Sequence, residues 1–131
     1  MATGKRKVAK ARATIRKGTG IVRINKLSLE NVQPKYFQMA ISTPLVIASD
    51  VAKSVDIDVN VVGGGITGQS DAIKQAIARA IVKWNGDSEE LKKKFIAYDR
   101  NLIVFDSRKN EPSKFSRSSA GPRRKRQSSK R

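Results

Sequence analysis

Residues 55–84 read VDIDVNVVGGGITGQSDAIKQAIARAIVKW. Val55, Ile57, Val59 and Val61 alternate with Asp56, Asp58 and Asn60, the period of two that marks a strand with one face on a core. Beyond the glycines, Ala72, Ile73, Ala76, Ile77, Ala80, Ile81 and Trp84 recur at helical spacing, which directs Lys74, Gln75, Arg79 and Lys83 to the opposite side. The stretch predicts a strand, a turn and an amphipathic helix.

The turn contains G-x-G-x-x-G at Gly63, Gly65 and Gly68. A dinucleotide fingerprint also needs an acid at the end of a second parallel strand about 20 residues on. Here that distance leads to Ser88–Glu90, at the start of a helix. No Lys-Ser or Lys-Thr follows Gly68, so a triphosphate-cradling loop is absent too. The glycines let the chain turn through conformations closed to other residues. Small residues and amides at a helix start also let a nucleic-acid phosphate approach, so Gly63, Gly64, Gly65, Gly68 and Gln69 are candidate RNA-binding positions. No cofactor is expected.

Upstream, AKARATIR (9–16) alternates, with Ala9, Ala11, Ala13 and Ile15 inward and Lys10, Arg12, Thr14 and Arg16 outward. KGTG (17–20) then suits a tight turn and IVRIN (21–25) a returning strand, so a basic N-terminal hairpin is expected. Ser28 is a candidate cap for the next helical segment, in which Tyr36, Phe37, Met39, Ala40 and Ile41 are apolar. Pro44 disfavours helix at Thr43, so a break is expected there, followed by a short helix over Leu45–Ala48. Downstream, Gly86 suits a helix stop and Asp87 or Ser88 a cap. A helix over 88–97 turns Leu91, Phe95 and Ile96 inward, and LIVF (102–105) reads as a last strand.

The 131 residues fit a single domain. Cysteine and histidine are both absent, which excludes disulfides, thiolate or imidazole metal sites, and cysteine or histidine catalysis. No apolar run approaches the roughly 20 residues of a membrane span, and the N-terminus lacks the apolar centre of a signal peptide, so a soluble intracellular protein is expected. Of 28 Lys and Arg, 7 lie in residues 1–17 with no acid, and 10 in residues 107–131 with one acid. The expected organisation is a globular domain over 1–106, basic at its N-terminus and nearly neutral from residue 18 on, and an extended basic tail over 107–131, disordered in isolation and ordered by a polyanion. Asp56 and Asp58 share one face of their strand, as a catalytic carboxylate pair could. Nothing else completes a site, and no enzyme is expected. Composition alone leaves a polybasic binder of membranes or duplex DNA open.

GGGITGQSDAIKQAIARAI (63–81), with its Gly68-Gln69 pair and its Ala78-Arg79-Ala80 step, resembles the signature of the universal small-subunit ribosomal protein family numbered nine. GKRKVAKARA with KGTG, YDRNLIVFDSRKNEP and the ending Gln127-Ser128-Ser129-Lys130-Arg131 are similar in order. KYFQMAISTPLVIA resembles the archaeal and eukaryotic branch. The resemblance implies an α+β fold, a two-layer α/β sandwich with a mixed, mostly antiparallel sheet, similar to the second domain of ribosomal protein S-five. It also implies a place in the small-subunit head of the cytoplasmic ribosome, with ribosomal RNA and neighbouring head proteins as partners and no membrane.

On this reading the RNA-binding candidates are Lys5, Arg6, Lys7, Lys10, Arg12, Arg16 and Lys17 in the basic N-terminus, and Arg79 and Arg100 further on. Arg108, Lys109, Lys114, Arg117, Arg123, Arg124, Lys125 and Arg126 follow in the tail, where arginine forks onto phosphates or stacks on bases and lysine acts as a point charge. Lys130 and Arg131 match the tail positions that approach the peptidyl-site transfer RNA in the family. SKFSRSSAGPRRKRQ departs from the family's glycine-rich tail, so the likeness there is one of charge. A general polybasic nucleic-acid binder outside the ribosome is the alternative.

Overall fold

The computed structural model describes residues 1–110. Five strands, β1 (Ala2–Arg6), β2 (Ala9–Lys17), β3 (Val22–Ile24), β4 (Leu27–Ser28) and β5 (Val55–Val62), form one sheet in the order β1-β2-β5-β3-β4. Only the β3–β5 pair is parallel; the other neighbours are antiparallel. The described residues include four helices, α1 (Lys35–Ile47), α2 (Ser49–Ala52), α3 (Ile66–Trp84) and α4 (Glu89–Tyr98), and 3₁₀ turns at Leu29–Asn31 and Arg100–Leu102. This is the expected two-layer α+β fold with a mixed, mostly antiparallel sheet. None of these helices is long and apolar enough to cross a membrane.

The opening stretch folds as its periodicities require. Val55, Ile57, Val59 and Val61 of β5 are buried together with Ala72, Ile73, Ala76, Ile77, Ala80 and Ile81 of α3. Burying each isoleucine contributes about 1.5–3 kcal/mol. α3 ends where Gly86 adopts φ +68° and the Asp87 N–H donates to the Val82 carbonyl at 3.0 Å, closing the last turn. Ala9, Ala11 and Ala13 of β2 are buried beneath it, and Gly4 of β1 lies opposite Ala11. Small residues on both surfaces bring the helix backbone close to the sheet.

Several expectations are corrected. β2 and β3 do not form a hairpin: β5 lies between them and runs parallel to β3. The N-terminal hairpin is β1–β2, Ala2 pairing with Ala13 and Arg6 with Ala9. Alternation reports which face of a strand is apolar and carries nothing about its neighbour. α1 runs through Pro44 to Ile47, with a further turn, α2, at Ser49–Ala52 in place of a helix over Leu45–Ala48. Proline removes one N–H donor close to the C-terminal end, and Pro44 is itself buried on the core side. Ser28 begins a 3₁₀ turn without a side-chain cap bond. Tyr36, Met39 and Ile96 are exposed, whereas Phe37, Ile41 and Phe95 are buried as expected. LIVF is no strand, since it begins in the second 3₁₀ turn and continues as irregular chain.

The KGTG turn is built around a carboxylate. Asp56 Oδ1 accepts the amides of Thr19, Gly20 and Ile21 at 2.9, 3.1 and 3.0 Å. A side chain at Gly18 would collide with that carboxylate, and Gly20 has φ +92°. The Ile21 amide, then that of Thr19, hold the Asp56 carboxyl below the ordinary carboxylate value; Gly20 and the Arg23 charge add to this, and desolvation opposes it. Because the folded-state pKa is depressed, the stabilisation is fully present above the unfolded value near 3.9 and is lost as pH falls through the lower folded value. Asp56→Asn is therefore expected to lower the unfolding midpoint at pH 7, with the gap to the parent closing below about pH 4. Thermal melts across pH check this, and a gap constant with pH contradicts it.

Candidate nucleic-acid interface

The helices cover one face of the sheet and leave the other open. Alternation along β2 places Lys10, Arg12 and Arg16 on the open face, all exposed, and Lys17 is exposed at the strand end. Cross-strand register sets Lys5 of β1 directly opposite Lys10, and Arg23 of β3 opposite Asp58 of β5. Like charges facing each other across a ladder are destabilising unless an anion joins them. Arg12, Arg16, Arg23 and Lys26 border one shallow depression with Asp58 on its floor. Asp58 accepts Arg16 Nη2 at 2.6 Å and lies 3.7 Å from Arg23 Nη1. One carboxylate thus spaces a group of cations that it does not neutralise. Lys10 to Lys17 spans roughly 24 Å of strand, enough for several phosphates.

Arg23 and Lys26 were not among the sequence candidates. Arg23 was legible, since it is the outward residue of IVRIN between the buried Val22 and Ile24. Its place beside Arg16 was not, because that requires the parallel β3–β5 pairing. Lys26 sits at φ +72° in the β3–β4 turn, next to Asn25, whose side chain bonds to both backbone groups of Val61.

At one end of the sheet the glycine turn meets the β1–β2 turn. Gly63 (φ +78°) and Gly64 (φ +72°) are exposed, and Cβ atoms there would press on Val8 and Ala9. Lys10 pairs with Val62, the residue before the turn, so the lysine and the glycines are brought together. Gly65 caps α3 without a side-chain bond, leaving the first helical amides toward solvent. Gln69 is used internally: its Nε2 donates to the Gly63 carbonyl at 3.2 Å. At Gly68 there is more room: a Cβ there would lie 3.8 Å from Ala9 and from the Arg6 carbonyl, an ordinary contact.

Other candidates have intramolecular roles. Arg79 donates to the Thr3 carbonyl at 2.9 Å and stacks 4.3 Å from the Phe105 ring centroid. Gln75, expected on the outer side of α3, is 2% exposed. It accepts the Lys5 amide at 2.8 Å and donates to the Asn101 and Val104 carbonyls at 3.1 and 2.8 Å. Arg6 pairs with Asp71 and Asp106, and Arg108 with Asp106. Arg100 is exposed. Lys5, Lys7, Arg108 and Lys109 line a second depression with Phe105 and Asp106. Lys114, Arg117, Arg123, Arg124, Lys125, Arg126, Lys130 and Arg131 lie outside the described residues. Asp56 and Asp58 hold a turn and two arginines, which accounts for both carboxylates without a reaction, and no cluster of metal-ligating side chains occurs among the described residues.

A family model described as ribosomal protein S9/S16 matches residues 4–131. The chain is 49% identical over 126 residues to small ribosomal subunit protein uS9 of Methanococcus maripaludis strain C7, covering 96% of this chain and 93% of the relative. It is 48% identical over 126 residues to small ribosomal subunit protein uS9 of Methanococcus vannielii, with the same coverage.

Proposed function

We infer that this chain, which belongs to the ribosomal protein S9/S16 family, is a structural constituent of the small ribosomal subunit that binds ribosomal RNA and carries out no catalysis. The observation that supports RNA as the ligand is the open sheet face. Arg12, Arg16, Arg23 and Lys26 border one depression there in which Asp58 is the only carboxylate among the described lining residues, and Lys10 extends the exposed cations along β2. Packed RNA supplies phosphates at a matching density, and the counterions it releases provide the favourable free energy. The glycine turn, with uncapped amides of α3 beside Lys10, suits a backbone phosphate that approaches closely.

The finer reading places the chain in the head of the subunit of the cytoplasmic ribosome, next to other head proteins. Residues 1–106 form the RNA-binding domain and 107–131 an extended basic tail. Lys130 and Arg131 reach the anticodon stem-loop of the peptidyl-site transfer RNA. Support for this is the match of these two residues to the family's tail end and the charge of the segment before them.

The sheet face is tested by Arg12→Glu with Lys26→Glu. Both side chains are exposed, so the fold should be retained. Binding to a folded small-subunit RNA transcript should weaken by about 100-fold near 100 mM salt, as expected when two phosphate contacts worth roughly 1–2 kcal/mol each become repulsive. Unchanged affinity in a folded double variant contradicts the assignment.

A further inference from the structure

We propose that Asp106, with Gln75 and Arg79, is a clamp that holds the start of the C-terminal segment against β1, so that Lys5, Lys7, Arg108 and Lys109 form one basic cluster before any polyanion arrives. β1 is an edge strand, and the Thr3 carbonyl and Lys5 amide point away from β2. Residues 102–105 have the composition to pair with that edge, yet side chains of α3 stand between. Gln75 takes the Lys5 amide on one side and the Asn101 and Val104 carbonyls on the other. One helical turn on, Arg79 takes the Thr3 carbonyl and covers Phe105. A glutamine that is 2% exposed with all three bonds made fixes the distance between strand and segment.

Asp106 completes the clamp. Its side chain is 10% exposed and contacts the Arg6 guanidinium on β1. It also accepts Arg108 Nε at 3.1 Å, Arg108 Nη2 at 2.8 Å and the Arg108 amide at 2.9 Å. Four cations line one depression beside this carboxylate. Left to themselves, Arg108 and Lys109 would be driven from Lys5 and Lys7 by like charge. The carboxylate and the α3 bonds overcome that repulsion, and the rest of the tail then departs from a fixed point. Asp106 acts through the cations it holds, as a positioning residue.

The proposal rests on the RNA-binding reading, and its test separates the two. The chain has no cysteine, so Lys83→Cys with Asn110→Cys gives a unique spin-label pair for distance measurement on the full chain without RNA. A narrow distribution is expected in this parent and a broad one after Asp106→Ala, or after Arg79→Met if the first variant fails to fold. RNA affinity supplies a readout of opposite sign to simple charge. Removing a carboxylate should tighten binding to a polyanion on charge alone, whereas loss of the clamp should weaken it by about 3- to 10-fold on a folded small-subunit RNA transcript. In chains lacking 111–131 the weakening should shrink to less than about twofold, because preorganisation then serves fewer contacts. A broad distribution in the parent, tighter RNA binding by Asp106→Ala, or an undiminished loss in the truncated chain overturns the clamp. RNA binding indifferent to truncation, with the distances behaving as expected, sinks the RNA role of the tail and leaves the clamp's geometry standing.

Discussion

Gly4→Ala is expected to destabilise the domain by about 3 kcal/mol or more, the upper range for overpacking a tight contact. A Cβ at Gly4 would meet the Ala76 backbone nitrogen at 2.6 Å and the Ala72 carbonyl oxygen closer still. Both obstacles are backbone atoms of α3, so no side-chain rotation relieves them. Either the edge strand β1 leaves the sheet or α3 lifts from Ala9, Ala11 and Ala13, opening the core that it shares with β5. A loss of this size lowers the melting midpoint by roughly 10–20 °C in a domain of about 100 residues. Thr3→Ala, one position away and exposed on the open face, should change it by only a degree or two. Circular dichroism melts of both variants decide the matter, and a Gly4→Ala midpoint close to the parent's contradicts the close helix–sheet approach.

Removing residues 111–131 is expected to make RNA binding much less sensitive to salt. The segment carries eight Lys and Arg and one acid. Each phosphate neutralised adds roughly 0.7–0.9 to the slope of log K against log salt concentration, so engagement of half these cations makes the truncated chain's slope shallower by about 3. The affinity gap between the two chains should be widest at low salt and close as salt approaches about 1 M. Removing Lys130 and Arg131 alone should leave subunit assembly intact and weaken retention of peptidyl-site transfer RNA mildly, since exposed charge contacts are individually worth about 1 kcal/mol or less. Filter binding over a salt series measures the first effect and transfer RNA retention on truncated particles the second. An unchanged slope contradicts the tail's role in RNA binding.

The segments most legible in the sequence are those whose periodicity is local. β5 and α3 announce themselves through alternating valines and through alanine and isoleucine at helical spacing, and Ala9–Lys17 through alanines between cations. β1 is hidden because its inward positions are Ala2, Gly4 and Arg6, none with the bulk that marks a core strand. The partner of β3 is hidden for a different reason: pairing across the sheet is a nonlocal event that apolar spacing does not encode. Residues 102–105 look like a strand, but Gln75 takes the carbonyls of Asn101 and Val104 that a ladder would have used. The same distinction governs the candidate interface. Lys10, Arg12 and Arg16 follow from alternation, whereas Arg23 joins them only through the β3–β5 register. Arg6, Arg79 and Arg108 carry the right charge, yet each is turned to an intramolecular partner that no local pattern reveals.

The central claim, that this is an RNA-bound constituent of the small ribosomal subunit, is tested most directly by sedimentation. Tagged full-length chain in a low-salt lysate is expected to travel through a sucrose gradient with the small subunit, at one copy per particle, and to be released by ribonuclease digestion. Recovery at the top of the gradient with free protein, or co-sedimentation that survives complete digestion of the RNA, would contradict it.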